Sequence, residues 1–285
     1  MTNNVETISE LLRCPLCKGP MQAVPTKSLT CLRNHTFDIA KQGYVNMMPR
    51  PSKSRYDKSL FEARHSVINE SRLYEGLHDI IAEKITKHVD TVESSIVMLD
   101  AGCGEGSHLQ LLKEKCGHDA ILGIGLDISK DGIMMAAKRY KQSAWLVADL
   151  ASSPLADQSC HVILNMLSPA NYEEFKRMLT PGGLVVKVVP RPHYLKELRA
   201  AVHGNSGKRN DNNADTVSLF SEHFHMLGTV RFHVSKKLSH AELIHLKQMT
   251  PLAWNSSSER LADYMNQDDA EITVDLDILI GLNKS

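Results

Sequence analysis

Ser95-Ile-Val-Met-Leu-Asp100-Ala-Gly102-Cys-Gly104-Glu105-Gly106-Ser-His108 decides the fold. Four apolar residues end in an acid, and three alternating glycines run into Leu109-Gln-Leu-Leu-Lys113. The pattern predicts a buried parallel strand, a tight turn and a helix start, the first unit of a doubly wound sheet. A side chain at Gly102 or Gly104 would hold a ligand away from the backbone, so the turn is expected to approach one closely.

A dinucleotide turn, G-x-G-x-x-G, needs its third glycine one position later than Gly106, where Ser107 stands. Asp100 would also set a carboxylate close to an anionic pyrophosphate, whereas a cation suits that acid. Acid-x-Gly-x-Gly-x-Gly resembles the cofactor loop of the S-adenosylmethionine-dependent methyltransferases, whose cofactor carries a sulfonium and an ammonium. The next apolar run, Ala120 to Asp127, ends in a second carboxylate placed to accept both ribose hydroxyls. A third run, Ala144 to Asp149, ends in the acid that stands beside the adenine amino group in that class. The fourth, His161 to Met166, carries Asn165 at its carboxyl edge, and Asn165-Met-Leu-Ser168-Pro169 is expected to face the transferred methyl group.

The 285 residues hold 33 Lys/Arg and 33 Asp/Glu, which argues against a bulk polycation and against disorder. No apolar window is long enough to span a membrane, and residues 1–6 lack a secretory pattern, so no membrane partner and a cytoplasmic location are expected. In a reducing compartment paired cysteines mean metal before disulfide. Cys14-Pro-Leu-Cys17 and Cys31-Leu-Arg-Asn-His35 form such a pair: two knuckles that close a tetrahedron around one Zn²⁺. Four protein ligands make that site structural. Residues 1–60 hold nine Lys/Arg against four Asp/Glu, a basic head on a mildly acidic body. Within it Pro49-Arg50-Pro-Ser-Lys53-Ser-Arg55-Tyr56-Asp-Lys58 reads as a basic linker, either a phosphate contact or a plain connection.

After the linker, residues 59–89 read as helical with a weak point at Gly76, and Tyr74 lies within them. Residues 204–213 read as a mobile loop. Thr229–Val234 and the run 272–280 read as two strands that pair at the sheet edge.

The zinc knuckles ahead of this core resemble the bacterial 23S rRNA guanine-N1-methyltransferases. The resemblance rests further on Phe37-Asp-Ile-Ala-Lys-Gln-Gly-Tyr44-Val-Asn, Gly125-Leu-Asp127-Ile-Ser-Lys, Ala136-Ala-Lys-Arg-Tyr140 and Gln248-Met-Thr-Pro-Leu-Ala-Trp254. It implies a class I, Rossmann-like S-adenosylmethionine methyltransferase with a mixed seven-stranded sheet and a small zinc-binding module. The parts would be a zinc-binding RNA-recognition module (1–48), a basic linker and helical lead-in (49–92) and the methyltransferase domain (93–285). It implies methylation of guanine N1 in a 23S rRNA stem-loop, with Cys14, Cys17, Cys31 and His35 on zinc. Tyr74, Gly104, Glu105 and Asp127 become cofactor contacts, joining Asp100, Gly102 and Asp149 from the strand ends. A family histidine falls at Tyr194, with His193 adjacent. Asn165 could polarise O6 of the base but cannot act as its base, and Trp254 either stacks on an extruded guanine or packs as core. Homodimerisation is left open. So are two other functions: a small-molecule methyltransferase with a structural zinc cap, and a non-catalytic zinc and nucleic-acid-binding module.

Overall fold

The structure, a computed structural model, describes residues 4–25, 27–50, 56–89, 95–117, 121–204, 213–254 and 258–284. Lys53 and Arg55 of the basic linker, and most of the expected mobile loop (205–212), lie outside the described residues.

The head holds three short antiparallel strands, β1 (Met21–Val24), β2 (Ser28–Cys31) and β3 (Thr36–Asp38). The body is built on one mixed sheet of β4 (Tyr44–Asn46), β5 (Ile96–Ala101), β6 (Ile121–Asp127), β7 (Ser143–Val147), β8 (Cys160–Met166), β9 (Leu179–Pro190), β10 (Phe224–Ser239) and β11 (Asp269–Asn283). Their order is β10-β11-β9-β8-β5-β6-β7-β4. All neighbours from β4 to β9 are parallel, while β9, β11 and β10 pair antiparallel. Every residue of β5 is buried, as a central parallel strand covered on both faces must be. From β5 the chain winds outward through β6 to β7, then returns to β8 on the other side of β5. That reversal opens a crevice beyond the carboxyl ends of β5 and β8, where open α/β sheets take ligands.

The sheet has eight strands among the described residues, one more than expected. The extra strand is β4, which the sequence placed in the zinc module. It lies parallel to β7, with Tyr44 opposite Trp145 and Asn46 opposite Val147. Every residue of β7 is buried, so an uncovered edge there would expose unpaired backbone next to apolar surface. β10 and β11 also exceed their expected ranges, forming a ladder from Phe224–Asn283 to Ser239–Asp269 with a bulge at Met226/Gly228. Polar residues such as Lys236 and Lys237 hid this length, because an edge strand can turn one face to water.

The lead-in helix breaks earlier than Gly76. An α-helix, Lys58–His65, capped by Asp57, widens into a π turn, Ser66–Glu70. Arg72 takes a left-handed conformation, and a new helix runs Glu75–Val89. Gly76 sits inside that helix, where a Cβ would come within 3.2 Å of the Phe232 ring.

Two apolar layers flank the sheet. Met98, Leu164, Val186 and Val188 face Leu77, Ile81, Leu109 and Ile133. Val97, Leu99, Ile163 and Val185 face Phe175 and Phe220, together with Val5, Ile8, Leu12, Met21 and Leu29 of the head. Each such side chain contributes roughly 1.5–3 kcal/mol when fully buried. The head is therefore part of the body's own core.

Candidate zinc centre and methyl-transfer site

Two knuckle turns shape the zinc centre. Lys18 and Asn34 both take φ of 61°, turning the chain after Cys17 and ahead of His35. The amide of Lys18 donates to the Cys14 carbonyl, and that of Asn34 to the Cys31 carbonyl, each at 2.8 Å. The ligand atoms of Cys14, Cys17, Cys31 and His35 all lie within 4.8 Å of one another. Sγ of Cys14 and of Cys31 each lie 3.4 Å from His35 Nδ1, and Cys17 Sγ lies 3.6 Å from Cys31 Sγ. A tetrahedral Zn²⁺, with Zn–S of about 2.3 Å and Zn–N of about 2.0–2.1 Å, separates its ligand atoms by roughly 3.6–3.8 Å. The cluster fits that ion: His35 would bind through Nδ1, and four protein ligands would leave no position open for catalysis.

The glycine turn leaves β5 with φ of +85° at Gly102 and +58° at Gly104, conformations that favour glycine. What the missing side chains admit is protein. A Cβ at Gly102 would lie 2.3 Å from Ser168 Oγ, and one at Gly104 would lie 3.2 Å from Phe61 and 3.4 Å from Arg64 Nε. At these two positions the β8 loop and the lead-in helix come close to the turn. Asp127 fastens the turn: its Oδ2 accepts from the Gly104 amide at 2.8 Å and its Oδ1 from the Ser129 amide at 2.7 Å. Each oxygen retains a further lone-pair site.

Asp100 is 0% exposed, and neither of its carboxylate oxygens has a hydrogen-bond partner among the described residues. Burial pushes its pKa up to about 7; Arg64 opposes that rise, while Asp127 and Glu105 add to it. Glu105 is also fully buried, with Oε2 2.7 Å from Arg64 Nε. Burial alone would lower the Arg64 pKa, but Glu105 and Asp100 outweigh it and hold the guanidinium charged. Arg64 thus pairs with the buried Glu105 and feels the buried Asp100 and the half-buried Asp127 electrostatically. An unpaired buried carboxylate is costly until a cation meets it, so this donor set fits a ligand with a positive group.

Tyr74 and Tyr194 are brought together. Tyr74 is buried, its hydroxyl 2.7 Å from that of Tyr194, and its ring lies edge-on to His108 in the first turn after the glycines. His193 is exposed, so Tyr194 is the residue turned toward Tyr74. Asp149 caps the short turn after β7, accepting from the Ala151 amide at 2.8 Å. Trp254 neither packs as core nor stands free. It is 36% exposed, sits edge-on to Tyr56 at 5.5 Å, and donates from Nε1 to the Gln248 carbonyl.

Asn165 does not face an open space. It is fully buried, and Nδ2 donates to the Ala101 carbonyl, Ser168 Oγ and the Pro169 carbonyl at 2.8–3.0 Å. Its Oδ1 accepts from Lys187 Nζ at 2.5 Å. With both ends of the amide engaged, Asn165 ties the β8 loop to the end of β5, and the expectation that it polarises a substrate oxygen is corrected. Two residues of the region were missed in the sequence. Lys187 carried a signal, a lone charge inside the apolar run Leu184–Val189. Arg64 carried none, being one cation among several on an ordinary amphipathic helix.

The model of the RlmA N-terminal zinc ribbon matches residues 12–55, and the methyltransferase-domain model matches residues 98–183. The chain is 43% identical over 277 residues to YxjB of Bacillus subtilis (strain 168), a protein provisionally named a 23S rRNA (guanine-N(1)-)-methyltransferase; the match covers 95% of this chain and 97% of that one. It is 30% identical over 258 residues to the 23S rRNA (guanine(748)-N(1))-methyltransferase of Streptomyces fradiae, covering 90% of each. Among solved structures, the YcgJ protein of Bacillus subtilis aligns with a TM-score of 0.45 and 15% identity, over 72% of this chain and 98% of that one.

Proposed function

The chain belongs to the family of the 23S rRNA (guanine-N1)-methyltransferases, and on that footing we propose that it methylates N1 of a guanine in a 23S rRNA stem-loop. The observation that carries the reading is Asp100, a buried carboxylate with no hydrogen-bond partner among the described residues, at the switch point of a methyltransferase sheet. S-adenosylmethionine, when bound, supplies an electrophilic methyl group on a sulfonium. The protein's work is then alignment and charge. Asp100 would meet the ammonium of the cofactor, Asp127 its ribose hydroxyls and Asp149 its adenine amino group. The turn at Gly102, Gly104 and Glu105 would border it, and the Tyr74–Tyr194 pair would close its far side.

RNA is the substrate class that suits the surface. A groove between the end of β4 and the start of the helix Lys130–Arg139 is lined by Arg50, Tyr56 and Lys130. Cations beside an exposed ring serve phosphates and unstacked bases. Zinc would hold the head, from which the chain runs through β4 to Arg50. Among the described residues no helix is long and apolar enough to cross a membrane.

Incubation with methyl-labelled S-adenosylmethionine, in parallel on unmodified rRNA and on a metabolite extract, tests the proposal. Label in the rRNA supports it; label confined to small molecules overturns it. A binding arm tests the cofactor seat: Asp127→Ala is expected to weaken S-adenosylmethionine by about 1.5–3 kcal/mol, roughly ten- to a hundredfold, because a charged acceptor is lost. Unchanged affinity in a calorimetric titration would unseat the cofactor from this strand end.

A further inference from the structure

β9 carries one ammonium within a buried apolar run. Lys187 is 7% exposed, in register between Asn165 of β8 and Leu279 of β11 near the carboxyl edge of the sheet. Its Nζ donates to Asn165 Oδ1 at 2.5 Å and to the Ser168 carbonyl at 3.1 Å. Lysine nitrogen has room for one more partner. Among the described residues no third hydrogen bond and no ion pair is made. Beside it lies a cleft of about 630 Å³, lined by Asp149, Pro169, Asn171, His223 and Lys187 itself. Clefts of this size take small ligands, and this one opens between the loops after β7 and β8.

A buried amine without a counter-ion is costly, and holding Asn165 alone would not need a charge. Asp149, from the loop after β7, is engaged with the Ala151 amide. Glu173, on the helix Tyr172–Met178, lies 3.3 Å from His223, at the end of the helix Ala214–His223. Tyr172 presents a neutral phenol, raised by burial to about 12. None of these offsets the burial of Lys187, which pushes its amine down to about 8. About a tenth is then an uncharged amine at pH 7, whereas an ordinary lysine is almost wholly protonated.

We infer that Lys187 is the base that takes the N1 proton of the acceptor guanine, with the Pro169–Asn171–His223 part of the cleft receiving the guanine. The inference rests on the guanine-N1 reading. Guanine N1 bears a proton that must leave. The Nζ lone pair forms an Nζ–H bond as N1–H breaks, and the electron pair stays on the guanine, spread over N1 and O6. N1 is then the nucleophile that accepts the methyl group. The new ammonium faces the electron-rich O6 until its proton passes to water. Net, one proton leaves the base for solvent.

Lys187→Arg keeps a donor for Asn165 and Ser168 but cannot lose its proton. We expect K187R to bind S-adenosylmethionine and rRNA within a few-fold of the parent, and to transfer methyl in single turnover at least a hundredfold more slowly. The parent rate should rise with pH through a midpoint near 8 and level off about one unit higher, and that step should vanish in K187R. Lys187→Ala should regain part of the rate with added ethylamine, in proportion to its free-base form. A readout independent of turnover is the ¹³Cε signal of labelled lysine, with one resonance titrating near 8 that is absent from K187R. A parent profile with no such step, or K187R at the parent rate, overturns the inference. If the parent itself leaves guanine N1 unmethylated, the functional reading falls instead, and the two failures are told apart.

Discussion

Asp100→Asn should make the ligand-free protein more stable at neutral pH while weakening S-adenosylmethionine roughly ten- to a hundredfold or more. The folded chain holds the Asp100 proton up to about pH 7, against an ordinary value of 3.8. Between those two values the folded state binds more protons than the unfolded state, so stability falls as pH rises through this window. The full deficit stands above pH 7, and below about pH 4 there is none. A shift of this size corresponds to about 4 kcal/mol, an order-of-magnitude figure. An amide imitates the protonated carboxyl, so Asn should recover most of that deficit. The same amide cannot meet an ammonium, and a hydrogen bond to a charged group is worth about 1.5–3 kcal/mol. Denaturant titrations of both proteins at pH 4 and pH 8, with calorimetry of cofactor binding at pH 8, check both halves. Equal stabilities at pH 8, or undiminished affinity, would mean that Asp100 is not a carboxylate waiting for a cation. Stability held in reserve at a binding site is the usual cost of having one.

Cys14→Ser with Cys17→Ser should abolish zinc binding, cut rRNA methylation by orders of magnitude and leave S-adenosylmethionine binding within a few-fold. Elemental analysis is expected to find about one zinc per chain in the parent and none in the variant. Asp100, Asp127 and Asp149 all lie in the body, so the cofactor seat does not depend on the knuckles. RNA binding is expected to depend on them, since the chain runs from the head through β4 to Arg50 at the groove. Cations bound to phosphates release counterions, and the salt dependence should flatten by roughly one unit of slope for each phosphate the variant no longer neutralises. Deleting residues 1–48 would be a poor substitute. It removes β4 and strips Val5, Ile8, Leu12, Met21 and Leu29 from the layer shared with Val97 and Leu99. A zinc-free variant that methylates rRNA as well as the parent would reduce the head to a structural cap.

The parts legible in the sequence are those where local chemistry dictates the outcome. Knuckle spacing places four ligands in reach of one ion, and an acid ending a buried apolar run marks a strand edge, as at Asp100, Asp127 and Asp149. Partnerships across the fold were not legible. β4 became a sheet strand because β7 had an edge to cover, and three residues cannot announce a parallel partner about a hundred positions away. Asn165 read as a polar group beside the chemistry, yet its amide is consumed by Ala101, Ser168, Pro169 and Lys187. Arg64 reaches Glu105 only because the lead-in helix folds over the glycine turn, a tertiary contact without local trace.

The most direct test of the account is where the methyl group lands. Unmodified 23S rRNA incubated with the protein and S-adenosylmethionine should gain one methyl per molecule. Reverse transcription should halt beside a single guanine, because a methyl at N1 blocks Watson–Crick pairing, and nucleoside mass spectrometry should identify 1-methylguanosine. A methyl on any other atom or base, or rRNA that gains none while a small molecule does, would contradict it.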